Sequence, residues 1–126
     1  MNIEHKFNNF IKENTDDGFH DACLISLNIN FENQNIQFII EHCRVKNGKD
    51  HYYWTELTFY TLKNLILDNE AGNFGEEDAI WSFDIILKDN IYNFKLIGTE
   101  GWVITFAATD FSFKEEYKKD LYGNNE

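Results

Sequence analysis

The sequence predicts an α+β, mainly β domain, in which one N-terminal helix is followed by about seven antiparallel strands forming a sandwich or a strongly curved sheet. Three observations carry this. The first fourteen residues place apolar side chains at helical spacing. Most of the remainder alternates apolar and polar residues at the strand period of two. The turns between these runs use residues suited to tight hairpins.

Ile3, Phe7, Phe10 and Ile11 form the stripe of a short amphipathic helix that should end near Asn14, with Thr15-Asp16-Asp17-Gly18 as a loop. Cys23, Ile25, Leu27, Ile29 and Phe31 then share one strand face, and Ser26, Asn28, Asn30 and Glu32 the other. With a turn at Glu32–Asn35, position 31 pairs with 36, 29 with 38 and 27 with 40. This register sets Cys43 opposite Leu24, on the face away from Cys23, so the two thiols should not be bridged. Residues 46–51 read as a polar loop, followed by a strand at about 52–60. Leu62, Leu65 and Leu67 fit either a strand or one helical turn. Asp68 to Asp78 is the longest loop.

In the second half Trp81, Phe83, Ile85 and Leu87 alternate with polar residues, and Asp89-Asn90 is a two-residue hairpin turn. Pairing 88 with 91 sets Ile85 against Phe94, Phe83 against Leu96 and Asp84 against Lys95. A three-residue loop, Thr99-Glu100-Gly101, then aligns Ile104 with Leu96 and Phe106 with Phe94; it needs positive φ at Gly101. Phe111 and Phe113 are out of phase with Phe106, which predicts a bend or bulge near Thr109-Asp110. The charged stretch 114–126 should fray. The expected core is Phe7, Ile25, Leu27, Ile29, Phe38, Phe83, Ile85, Phe94, Leu96, Ile104 and Phe106.

The 126 residues suit a single domain, 1–126, and a hydrophobic content of 43%, with aromatics at 17%, is enough for a real core. Eleven basic residues against 22 acidic give a formal charge of −11. Such a surface repels phosphate backbones, so no nucleic-acid partner is expected; it attracts a cation or a basic protein. No segment is apolar enough for a signal peptide or a membrane span, so the default expectation is a cytoplasmic chain with no membrane partner. Oligomeric state is not legible.

No motif carries catalysis. The doublet His20-Asp21 resembles those of metal-dependent phosphohydrolases, but such enzymes need further ligands on neighbouring helices, and this chain has one helix. The plainer account is that His20 and Asp21 close the loop into the first strand by hydrogen bonds. His42, Cys43 and His51 lack the closely spaced pairs of a zinc site, so no metal and no cofactor are expected. No GxSxG elbow or phosphate loop is present, so no catalytic residue is assigned. The acidic loop offers a partner-binding surface instead: Glu70, Glu76, Glu77 and Asp78 around Phe74 as an apolar anchor.

The stretch Gly18-Phe19-His20-Asp21-Ala22, followed by an alternating strand, resembles the "FHDA/FHDS" opening of small bacterial β proteins, some of which are grouped with immunity proteins of polymorphic toxin systems. Leu57-Thr58-Phe59 with Leu62 and Leu65, and Gly101 to Phe106 with Ala108, are similar to later segments of that group. Cys23 departs from its pattern, which often has an acidic residue there. The resemblance implies a non-enzymatic domain that binds and neutralises a toxin encoded alongside it. Two other classes stay open: a carrier of a small apolar ligand in a barrel-like cavity, and an unrecognised enzyme.

Overall fold

The computed structural model describes residues 2–68 and 79–118. Helix α1 (Ile3–Asn14) leads into eight strands: β1 (Cys23–Asn30), β2 (Asn35–Lys46), β3 (Lys49–Tyr60), β4 (Lys63–Asp68), β5 (Ile80–Lys88), β6 (Ile91–Gly98), β7 (Val103–Ala107) and β8 (Asp110–Tyr117). They form two four-stranded antiparallel sheets, in the orders β1-β2-β3-β8 and β4-β7-β6-β5, packed as a sandwich. The strand beyond the expected seven is β4, so the Leu62–Leu67 stretch resolves as a strand. No helix among the described residues is long and apolar enough to cross a membrane.

α1 begins where expected because Asn2 caps it, its Oδ1 accepting the His5 N–H at 2.8 Å. Its C-terminal carbonyl at Ile11 is satisfied by the backbone N–H and hydroxyl of Thr15. The helix buries Phe7 and Phe10 against the sandwich.

Register breaks occur in β1, β4 and β5, and those in β1 and β5 redirect large apolar side chains. A bulge between Leu24 and Ser26 in β1 sends Leu24 inward and leaves Ile25 42% exposed, so Ile25 is not a core residue. A matching bulge between Ile80 and Ser82 in β5 buries Ile80 and turns Trp81 outward, 58% exposed. The β1–β2 register also moves: Ile29 pairs with Ile36 and Leu27 with Phe38. The turn starts earlier than expected because the Asn30 side chain accepts the Asn33 N–H, which leaves Phe31 in the turn and exposed. The shift is two residues, so the β2 faces stay as read.

The expected polar loop at 46–51 is instead a two-residue hairpin. Asn47 and Gly48 both take positive φ, at 55° and 76°, and both flanking strands run twelve residues. The Asp89-Asn90 turn, the β5–β6 pairs and the β6–β7 pairs Leu96–Ile104 and Phe94–Phe106 stand as expected. Gly101 has φ of 97°. The bend near Thr109-Asp110 is the point where the chain leaves one sheet for the other, since β7 and β8 belong to different sheets. Residues 114–117 do not fray: they pair with β3 as far as Tyr117.

The core is a lattice of Phe rings from both sheets and the helix. Phe59 lies with its centroid 4.7 Å from that of Phe94 and 5.0 Å from that of Phe106, and Phe7 sits 5.1 Å from Phe94 and 5.2 Å from Phe83. Leu27, Ile29 and Ile85 are half-buried at its margin. Phe10, Phe19, Leu24, Ile36, Ile40, Leu57, Ile80, Trp102 and Phe111 complete the core beyond the set expected from alternation.

Candidate functional site

Strand β1 starts at Cys23, opposite Glu41, so β2 continues past the end of its neighbour. The segment before β1 folds back there. Phe19 and Asp21 adopt left-handed φ of 70° and 66°. The Ala22 N–H donates to the Phe19 carbonyl, and the Asp21 N–H donates to Ile80 in β5. Between this segment and β2 lies an open cleft of about 220 Å³. Asp17, His20 and Asp21 line one side, and Glu41, His42, Cys43 and Tyr52 the other.

His20 and Asp21 therefore do close the loop, but onto β5 more than onto β1. The His20 ring lies edge-on to Trp81, with centroids 4.9 Å apart, and its Nδ1 is 2.8 Å from the Trp81 carbonyl. That carbonyl, foremost, raises the His20 pKa above its ordinary value; desolvation opposes it, and the charges of Asp21 and Asp17 add to the rise. Asp17 is also raised, chiefly by burial; the charge of His20 opposes this, and the charges of Asp16 and Asp21 add to the rise. The carboxylates here repel one another and would be relieved by an incoming cation.

The cysteines are not bridged. Their placement differs from expectation, however. The two-residue register shift and the β1 bulge together pair Leu24 with Ile40 rather than Cys43, and Cys23, opposite Glu41, shares the outer face with Cys43. Both thiols line the cleft. Burial raises the Cys43 pKa, which keeps it protonated and weakly nucleophilic.

His42 faces inward, as alternation with Phe38 and Ile40 requires. It is 5% exposed; Nε2 meets the Thr55 hydroxyl at 2.7 Å, and Phe19 packs edge-on against its ring. Burial, reinforced by the charge of Arg44, lowers its pKa to about 4, with Asp16 opposing. The fold thus holds His42 neutral while the unfolded chain protonates it below the ordinary value of 6.5. Stability should fall as pH drops through 6.5 and level off below about 4, with a contribution of at most about 3 kcal/mol from this group. Denaturant melts across that range should show a shallower decline in His42→Leu than in the wild type; parallel curves would assign the acid sensitivity to other groups.

Among the described residues no three His, Cys, Asp or Glu groups are placed to share a metal ion. The expected partner-binding residues Glu70, Phe74, Glu76, Glu77 and Asp78 lie outside the described residues; Ala79, which follows them, bridges to Cys23 beside the cleft. The sequence reading missed Trp81, Glu41 and Asp17. Two adjacent large apolar residues, Ile80-Trp81, were the available sign of a bulge that turns one of them outward.

The fold and site define a helix-capped β-sandwich with an acidic cleft at the start of β1. No family model matches the sequence, and no match is found among curated proteins.

Proposed function

We propose that this chain is a non-enzymatic protein-binding module whose partner is a basic protein, in keeping with the immunity-type resemblance of its Phe19-His20-Asp21-Ala22 segment. The observation that carries the reading is Trp81, held 58% exposed by a bulge and packed on His20 at the rim of a cleft lined by Asp17, Asp21 and Glu41. An exposed Trp next to a cleft lined by carboxylates is the arrangement of an interface anchor with steering charges beside it. The Phe rings that fill the space between the sheets favour a surface role over carriage of an apolar ligand.

The test is to co-express the chain with the product of its adjacent open reading frame and measure association kinetics at low and high salt. The on-rate should fall steeply with salt. Trp81→Ala should weaken the complex about thirtyfold, as loss of a hot-spot residue does. Asp17→Asn with Asp21→Asn should slow association mainly. Undiminished binding by Trp81→Ala would remove the cleft rim as the contact, and no complex with the wild type would remove the reading.

A further inference from the structure

β5 is, with β4, one of the two margins of its sheet among the described residues. Among the described residues its backbone is tied outside the sheet at its start: Ile80 accepts from Asp21 N and donates to Ala22 O, both at 2.8 Å, and the Trp81 carbonyl meets His20 Nδ1 at 2.8 Å. From Ser82 to Lys88 it pairs with β6 without a register break. The two-residue turn makes Lys88–Ile91 a hydrogen-bonded pair, so residues 84, 86 and 88 direct their backbone groups to β6. The groups of Phe83, Ile85 and Leu87 point outward. Ile86 and Leu87 are 45% and 53% exposed along this edge.

We propose that β5 pairs with β5 of a second copy of this chain, antiparallel about a two-fold axis at Ile86. The argument is self-complementarity. In that register Ile86 meets its own copy on the outer face, and Ile85 meets Leu87 of the second copy on the inner face. Asp84 meets Lys88 of the second copy on the outer face, twice by symmetry. Shifting the axis by one residue in either direction loses the charge match. The other margins do not offer this. β1 carries no charged residue to pair, β4 keeps only Ile66, Leu67 and Asp68 beyond its register break, and in β8 Glu115 and Glu116 already bind Arg44 and Lys118. A short edge pairing of this kind makes a weak dimer, further weakened by repulsion between chains of formal charge −11. The proposal is independent of the cleft reading, because it needs no second gene product.

The experiment is sedimentation of the purified chain from micromolar to millimolar concentration, in enough salt to screen that repulsion. The wild type should convert from monomer to dimer. Ile86→Lys, at an exposed position, should weaken the dimer at least tenfold while leaving the thermal melt in place. Asp84→Lys and Lys88→Asp should each be monomeric alone, since each sets like charges opposite one another. Mixed in equal amounts they should form a heterodimer, because the mixture restores both opposite-charge pairs. A wild type that stays monomeric at millimolar concentration overturns the proposal. So does a dimer indifferent to Ile86→Lys, which remains decisive if Asp84→Lys, facing Lys95, does not fold.

Discussion

Gly98→Ala should destabilise the domain by about 3 kcal/mol or more, a large loss for one methyl group. Gly98 ends β6, and its N–H donates to the Trp102 carbonyl across the three-residue loop. The Trp102 indole lies flat against the glycine, so an added Cβ would fall deep within the van der Waals envelope of the ring. Trp102 is fully buried, and its ring cannot move aside without opening the core. Urea unfolding followed by tryptophan fluorescence should show the midpoint fall with the slope unchanged. The clash predicts strong coupling: in a Trp102→Ala background, Gly98→Ala should cost far less. Additive losses would mean that the glycine matters for its backbone freedom rather than for the ring above it.

Phe59→Ala should cost about 3–5 kcal/mol, the range for removal of a fully buried large ring. Phe59 has ring centroids of Phe7, Phe38, Phe83, Phe94, Phe106 and Phe111 within 4.7 to 6.3 Å, so it touches the helix and both sheets. No single neighbour can fill the space it leaves, because each ring is held by others. Phe31→Ala is the matched comparison: the same chemistry at a turn position 78% exposed, with an expected change under about 0.5 kcal/mol. A Phe59→Ala loss under about 1 kcal/mol would show that the rings repack freely.

These residues also show where the sequence is legible. The β5–β6–β7 meander could be read pair by pair because its turns admit one register: Asp89-Asn90 takes positive φ at both positions, and Gly101 supplies the left-handed residue of the next loop. Alternation alone misplaces Ile25 in β1 and Trp81 at the start of β5, because a bulge inserts one residue and its sign is no more than two adjacent apolar residues, Leu24-Ile25 and Ile80-Trp81. Asn47-Gly48 was a standard hairpin signal, obscured by Lys46, Lys49 and Asp50 around it. These residues extend two strands past the apolar core, where alternation of hydrophobicity no longer reports the strand. The buried position of His42 was available from its phase with Ile36, Phe38 and Ile40. The cleft was not, since it joins residues 17–21, 41–43 and 52 through a fold-back that depends on contacts with β5.

The helix at the start of the chain rests on the strand at its far end: Phe7 packs on Phe111, and Lys6 bonds to both the Asp110 carboxylate and the Phe111 carbonyl at 2.6 Å. On the ribosome, α1 emerges before the strands and has no complete seat until β8 follows. The sheet of β1, β2 and β3 likewise waits for β8, its fourth strand. Closure of this sheet therefore waits until β8 has been made. Until then an amphipathic helix and its Phe side chains stay open to chaperones and to neighbouring nascent chains, so slow translation of the codons for β7 and β8 should lower the yield of folded protein more than slow translation of the codons for α1.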